Sequence, residues 1–217
     1  MSYNLILIFS FSVIIPAIIG WIRFTKISPT YYPFVFCIWL ASINEPLGFL
    51  FAKIFHTNVI STNIYYLIEF FLFIWQFYRW GVFGAKKYIY YVVNCIGIIV
   101  WVLETLIMRR MQFSSYFLVA YSFVLVLLST SVINDIVTKD RRKWYKNAKF
   151  IICSTFILFY TYQVIVETFW IYGVNIGPAF RFQIYHILSI INLISNLLYA
   201  LAILWIPARH HSLLQSS

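Results

Sequence analysis

The sequence has 217 residues, of which 63% are hydrophobic and 10% are charged. Soluble domains carry about 25% charged residues, so this composition excludes an ordinary soluble protein and is typical of a membrane protein. The net charge of +10 comes from residues in loops between hydrophobic runs, without a nucleic-acid-binding motif, so we expect no nucleic-acid partner. The three cysteines lie inside hydrophobic runs and are odd in number, which indicates buried free thiols.

The hydrophobic runs predict seven membrane-spanning helices in a single domain covering residues 1–217. A helix of about 20 apolar residues crosses the hydrocarbon layer of a bilayer, and each run is close to that length. The predicted spans are residues 5–22, 31–55, 62–80, 88–108, 113–137, 148–171 and 182–206. The predicted fold class is therefore an all-α integral membrane protein, a bundle of seven transmembrane helices surrounded by the lipid bilayer.

The distribution of Lys and Arg predicts the orientation of these spans. Twelve of the sixteen fall in the first, third and fifth loops and the C-terminal tail, and four fall in the other connections. Because positive residues favour the cytoplasmic side, we expect the N-terminus outside and the C-terminus in the cytoplasm of a plasma (inner) membrane. The basic run from Lys139 to Lys149 is expected to lie against anionic lipid headgroups, with docking of a cytoplasmic signalling partner as the alternative.

The second and third spans each carry a glutamate inside a hydrophobic run. In the second span, small and polar residues recur every three or four positions and predict a close helix approach; they are Ala41, Glu45, Gly48 and Ala52. Pro46 interrupts this pattern and frees a backbone carbonyl one turn earlier. In the third span, Glu69 and Gln76 are seven residues apart and share one helix face. A carboxylate at bilayer depth costs several kcal/mol if it faces lipid, so Glu69 is expected to face protein or water.

The later spans repeat this arrangement. The fourth has a polar and small-residue stripe made of Asn94, Gly97, Trp101 and Glu104. The fifth has serines every seven residues, as expected of a helix–helix seam, at Ser115, Ser122 and Ser129. The sixth and seventh have polar faces that include Tyr160, Gln163, Glu167, His186 and Asn192.

At 1.5 Å per residue, these polar groups fall in the outer half of the predicted bundle. The candidate ligand-binding residues are Asn44, Glu45, Glu69, Glu104, Gln163, Glu167, His186 and Asn192. Ligand pockets commonly form between the helices of a bundle. An acidic pocket would favour a small cationic or polar ligand, so the sequence predicts a membrane-embedded sensor or binding protein.

Three other functions remain open. A proton-coupled or small-solute transporter of the 3+1+3 type would fit the similar openings of the third and seventh spans, Asn63-Ile-Tyr-Tyr-Leu-Ile and Gln183-Ile-Tyr-His-Ile-Leu. A metal-dependent lipid hydrolase would use Glu45, Glu69, Glu167 and His186 as ligands, but it lacks further membrane histidines, so we favour a non-catalytic protein. In a purely structural bundle, protonated glutamates would pair with amides on neighbouring helices.

Several motifs resemble those of an uncharacterised family of small seven-span bacterial membrane proteins. They are Asn63-Ile-Tyr-Tyr-Leu-Ile-Glu69-Phe, the upstream Glu45, and Glu167-Thr-Phe-Trp170. The family is associated with neighbouring sensor kinases, so the resemblance implies a sensory role. Microbial rhodopsins share the predicted spans and orientation but need a lysine in the last span to hold retinal. Residues 182–206 contain no lysine, so no retinal cofactor is expected.

Overall fold

The computed structural model describes residues 8–108, 112–139, 146–172 and 177–209. Across these ranges the chain is helical, and its one β-type contact is an isolated bridge between Ile27 and Ala208. The α-helices are α1 (Ile14–Arg23), α2 (Tyr32–Phe55), α3 (Val59–Arg79), α4 (Lys87–Val102), α5 (Ser115–Lys139), α6 (Ala148–Ile171) and α7 (Pro178–Trp205). A π-helix, Leu103–Met108, continues α4.

Six of these helices, α2 to α7, are long and apolar enough to cross a membrane. The first apolar helix, Ile8–Arg23, is shorter, and the predicted span 5–22 begins outside the described residues. The protein is therefore a multi-pass helical membrane protein with six long apolar helices and one shorter helix, where the sequence predicted seven spans. The predicted span 148–171 matches α6, and the other boundaries differ by a few residues.

Helix α3 lies at the centre of the packing. It contacts α2, α4 and α5, whereas α5 packs extensively on α6, α6 on α7, and α7 on α1. Because α1 also contacts α2, the first and last helices close the bundle into a ring. Ser115, Ser122 and Ser129 are all buried on α5, as the predicted seam requires.

Arg23 joins the first helix to the last. Its Nη1 donates hydrogen bonds to the carbonyl oxygens of Ile203, at 2.9 Å, and Leu204. Ser28 N–H also donates to the carbonyl of Pro207 at 3.0 Å. The last carbonyls of a helix have no partner within it, so Arg23 satisfies the end of α7 and holds the end of α1 beside it.

Gln76 joins the end of α3 to the beginning of α2. Its side chain is fully buried, and its Oε1 accepts a hydrogen bond from the N–H of Phe34 at 2.8 Å. Its Nε2 donates to the carbonyl oxygen of Thr30 at 2.6 Å. Both polar atoms of the buried amide are therefore satisfied by backbone groups at the start of α2.

At the opposite end of the bundle, Asn63 fixes the beginning of α5. Its Nδ2 donates to the carbonyl of Gln112 at 2.9 Å, and its Oδ1 accepts from the N–H of Ser114 at 3.1 Å. The indole N–H of Trp101, on α4, donates to the carbonyl of Asn63 at 2.9 Å. Three helices therefore meet at this one asparagine.

Gly97 lets α4 approach α3 closely. A Cβ atom at this position would lie 2.3 Å from Cε1 of Phe70, well inside van der Waals contact. The predicted stripe on α4 therefore faces α3 because glycine leaves room for the Phe70 ring.

Helix α2 runs through Pro46 without a break, in agreement with the single predicted span 31–55, because a membrane helix tolerates the loss of one backbone hydrogen bond. Two expectations about α2 and α4 are wrong. The close approach predicted at Gly48 and Ala52 is missing, since Ala52 is exposed and a Cβ at Gly48 would meet only Asn58 Nδ2, at 3.8 Å. Cys95 is an exposed thiol, because it points away from the face of α4 that packs on α3, whereas Cys37 and Cys153 are buried as expected.

Candidate functional site

Glu69 lies at the centre of the bundle among tyrosine hydroxyl groups. Its side chain is buried, and the hydroxyl of Tyr65, one turn earlier on α3, donates a hydrogen bond to its Oε1 at 2.7 Å. The hydroxyl groups of Tyr121 on α5 and Tyr160 on α6 also interact with this carboxyl group. These two hydroxyls are 2.8 Å apart and hydrogen-bond to each other. The carboxyl group is thus surrounded by donors from three helices.

Two further helices complete the surroundings of Glu69. The thiol of Cys37 on α2 and the hydroxyl of Tyr199 on α7 are both within electrostatic range of its carboxylate. Aromatic rings pack around these groups, with the centroids of Phe70 and Tyr121 5.7 Å apart and edge to face. Glu69 therefore occupies a polar centre within an aromatic core.

A second polar group lies around Tyr66, the residue after Tyr65 on α3. Its hydroxyl is within electrostatic range of the carboxylates of Glu45 on α2, Glu69 on α3 and Glu167 on α6. Glu45 and Glu167 are only half-buried. Three of the four glutamates predicted from the sequence as site residues are therefore brought near one tyrosine by three different helices.

Glu167 is positioned by its own helix and by α5. Gln163 Nε2, one turn earlier on α6, donates a hydrogen bond to Glu167 Oε1 at 3.0 Å. Ser115, the first residue of α5, also interacts with the Glu167 carboxyl group, and the charge of Glu104 is within range. The sequence prediction grouped Gln163 with these glutamates, and the structure brings it to Glu167.

Glu104 is buried and its two carboxylate oxygens are both engaged by the start of α5. Oε1 accepts from the N–H of Tyr116 at 2.9 Å, and Oε2 accepts from the N–H of Phe117 at 2.6 Å. The first N–H groups of a helix have no partner within the helix, so Glu104 acts as a tertiary N-cap, and its charge is favourable at the positive end of the helix dipole. Glu104 therefore stabilises the beginning of α5. Ligand binding by Glu104 stays a prediction.

The amides and the histidine are less closely grouped. Asn192, on α7, accepts a weak hydrogen bond from Asn196 at 3.5 Å, and Asn196 donates to Ser12 Oγ at 2.8 Å, so this pair faces the first helix. Asn44 and His186 are half-buried on α2 and α7. No described contact joins Asn44 or Asn192 to the three carboxylates near Tyr66.

The metal alternative does not fit this arrangement. Within residues 8–108, 112–139, 146–172 and 177–209, no three His, Cys, Asp or Glu side chains come together as metal ligands would. The four ligands considered from the sequence, Glu45, Glu69, Glu167 and His186, therefore do not form a metal-binding group. Glu69 is instead enclosed by tyrosine hydroxyl groups, which the predicted site did not include.

The predicted partner-binding run is described only at its two ends, since residues 140–145 lie outside the described part of the chain. Lys139 Nζ forms an exposed ion pair with Asp135 at 2.6 Å. Lys149 Nζ lies 5.7 Å from the ring centroid of Trp80, in a cation–π contact between the start of α6 and the end of α3.

The four tyrosines were the main omission from the predicted site. Tyr65 lies four residues before Glu69, so helical spacing could have identified it. Tyr160 lies on the same predicted face of α6 as Gln163 and Glu167. Tyr66 and Tyr121 carry no such local signal, because aromatic residues in apolar helices are usually packing residues.

The fold defines a multi-pass α-helical membrane protein whose apolar helices carry two buried glutamates, Glu69 and Glu104, and two half-buried ones, Glu45 and Glu167. Comparisons with protein-family models, with curated proteins and with solved structures find no match to this chain.

Proposed function

We propose that this protein is a membrane-embedded binding protein that senses a small cationic or polar molecule. The observation that carries the proposal is that Glu45, Glu69 and Glu167, from three different helices, all lie within electrostatic range of the hydroxyl of Tyr66. Among the side chains that the structure describes, which do not include that of Arg181, no basic group forms an ion pair with these carboxylates. A carboxylate without a counter-charge attracts a cation, so binding of a cation beside Glu45 or Glu167 would be favourable.

The half-buried residues of this group form the proposed contact with the ligand. Glu45 and Glu167 are partly accessible, whereas Glu69 is enclosed. Gln163 donates to Glu167 Oε1 at 3.0 Å and Ser115 also interacts with this carboxyl group, so both residues would hold it in position for a ligand. Tyr66 adds a hydroxyl group and a ring face, both of which are common in sites that bind amines.

The orientation of the site is part of the same proposal. We take Ile8–Arg23 as the seventh span and the end of the bundle that contains Arg23, Arg79 and Lys149 as cytoplasmic. The excess of Lys and Arg at this end supports that orientation. The N-terminus would then be outside a plasma membrane, and the group around Tyr66 would face outward.

Helix α6 offers a route from this site to the cytoplasm. It is continuous from Ala148 to Ile171, with Glu167 near one end and Lys149 at the other. A ligand that shifts Glu167 would therefore also act on the contact between Lys149 and Trp80, and on the basic run that begins at Lys139. A signalling partner docked on that run would then respond to whether the ligand is bound.

Thermal unfolding of the purified protein in detergent tests the proposal. The probes are choline, putrescine, spermidine, Na⁺ and Ca²⁺, each added at saturating concentration. A ligand at 100 times its Kd stabilises the folded state by about 2.7 kcal/mol, which is easily measured as a rise in Tm. We expect at least one probe to raise the Tm, and Glu45→Gln and Glu167→Gln to abolish that rise.

Asp135→Asn is the matched control, because Asp135 is an exposed acid near the opposite end of the bundle. It should keep the full ligand-induced rise in Tm. A rise that is equal in the wild type, Glu45→Gln and Glu167→Gln would contradict binding at this site.

A structural role is the second candidate, and the capping of α5 by Glu104 favours it. If all four intramembrane glutamates only hold helices together, each Glu→Gln variant lowers the Tm and no probe raises it. The two candidates therefore predict opposite results in the same measurement.

A further inference from the structure

Glu69 lies at a position where an ionised side chain is energetically unfavourable. It is the eleventh of the 21 residues of α3, and therefore at the middle of a helix long enough to cross a membrane. Its side chain is only 8% exposed. An ionised carboxylate in such surroundings loses its hydration and needs either a counter-charge or a proton.

The groups that face Glu69 come from five helices, and all of them are uncharged hydroxyls or thiols. They are Cys37 on α2, Tyr65 and Tyr66 on α3, Tyr121 on α5, Tyr160 on α6 and Tyr199 on α7. In the described ranges, no ammonium, guanidinium or imidazolium group pairs with this carboxylate. The enclosure by aromatic rings leaves a proton as the cation that fits without displacing side chains.

We propose that Glu69 is a reversible proton-binding site whose protonation reorganises the hydroxyl network of Tyr65, Tyr121 and Tyr160. When the carboxylate is ionised, it can only accept hydrogen bonds, so the tyrosine O–H groups point towards it. When a proton from water adds to one carboxylate oxygen, the new O–H becomes a donor and needs an acceptor. One tyrosine oxygen then accepts it, and that hydroxyl turns its own hydrogen elsewhere.

This exchange is linked to helix packing through the pair formed by Tyr121 and Tyr160. Their hydroxyls are 2.8 Å apart, and either one can be the donor. They join α5 to α6, the two helices with the most extensive contact in the bundle. A change in the direction of this hydrogen bond is therefore the route by which protonation of Glu69 reaches the α5–α6 seam.

Infrared difference spectroscopy tests the proposal without any ligand, so its result is independent of the site around Tyr66. Purified protein in lipid is stepped between alkaline and acidic buffer, and the C=O stretch of a protonated carboxylic acid is recorded. The wild type should gain such a band on acidification and lose it on return to alkaline buffer. Because every protonated carboxyl group contributes, the band is assigned by subtraction: one component should be missing from Glu69→Gln and present in Glu45→Gln and Asp135→Asn.

Tyr65→Phe provides a second test that does not remove the carboxyl group. Because Tyr65 donates the 2.7 Å hydrogen bond to Glu69, its loss should shift the frequency of the band and leave its presence unchanged. Tyr78→Phe, at a half-buried tyrosine further along α3, is the control and should leave the frequency unchanged.

Three results would overturn the proposal. One is a wild-type spectrum without a reversible carboxylic band, and another is an identical band in folded Glu69→Gln. If Glu69→Gln does not fold, an unshifted band in folded Tyr65→Phe decides against the proposal.

Discussion

The carboxylate of Glu104 accepts the backbone N–H of Phe117 at 2.6 Å, so a side chain at the end of one helix caps the beginning of the next. The second oxygen accepts the N–H of Tyr116. The six residues that contain Glu104 form a π-helix, Leu103–Met108, which widens the helix by one residue per turn. Thr105, beside it, hydrogen-bonds Ser114 at 2.7 Å and adds a second link across the same turn.

Removal of this cap should destabilise the bundle. Glu104→Ala is expected to lower the free energy of unfolding by about 2–4 kcal/mol, because each buried N–H group left without an acceptor costs about 1–3 kcal/mol. Glu104→Gln should cost less, since its amide oxygen still accepts one hydrogen bond. Equilibrium unfolding in mixed detergent micelles measures both values. Equal stability of Glu104→Ala and the wild type would show that the cap contributes nothing.

A methyl group at Gly97 should disturb the contact between α3 and α4. The new Cβ of Gly97→Ala would lie 2.3 Å from Phe70, and overpacking of this kind costs about 1–3 kcal/mol. Gly48→Ala is the matched control on α2, because its new Cβ would have 3.8 Å to its nearest neighbour. The same unfolding measurement should find Gly97→Ala less stable than the wild type and Gly48→Ala unchanged or slightly more stable.

A second substitution should partly restore the stability that Gly97→Ala removes. Phe70→Leu removes the ring atoms that the new methyl group would meet, so the double variant should lose less stability than the two single losses added together. Strict additivity of the two losses would mean that Gly97 and Phe70 do not contact each other.

Replacement of Gln76 by an apolar side chain of similar size should destabilise the protein. Gln76→Leu leaves the N–H of Phe34 and the carbonyl of Thr30 without partners, at about 1–3 kcal/mol for each buried group. Gln183→Leu, at an exposed position on α7, is the control and should change stability little. A Gln76→Leu variant as stable as the wild type would mean that water replaces both hydrogen bonds.

Much of the helical framework could be predicted from the sequence, because the length of an apolar run and the placement of Lys and Arg are local properties. The predicted span 148–171 and the buried serines on α5 are examples. The convergence of side chains could not be predicted in the same way. Arg23 meets carbonyls 180 residues later, and Glu104 caps a helix across a turn whose path no local pattern determines.

The same reasoning explains which parts of the candidate site were missed. Burying a charged carboxylate in a membrane is energetically costly, so a glutamate within an apolar helix is an unusual feature of a sequence. Glu45, Glu69 and Glu167 could therefore be identified from the sequence. Tyr66 and Tyr121 do not stand out, since a tyrosine can pack as an aromatic residue or act as a donor, and only the fold decides between the two.

Site-directed cross-linking tests most directly whether carboxylates from separate helices converge. Cys37, Cys95 and Cys153 would be replaced by Ala, and Glu45→Cys and Glu167→Cys introduced together, with a protease site added between α5 and α6. A bifunctional maleimide with a flexible spacer should then hold the two fragments together after cleavage, whereas the pair Glu45→Cys and Lys149→Cys, with Lys149 at the other end of α6, should not be joined. If both cysteines of the first pair react singly with maleimide but never form a cross-link, the acidic groups of α2 and α6 do not share one site.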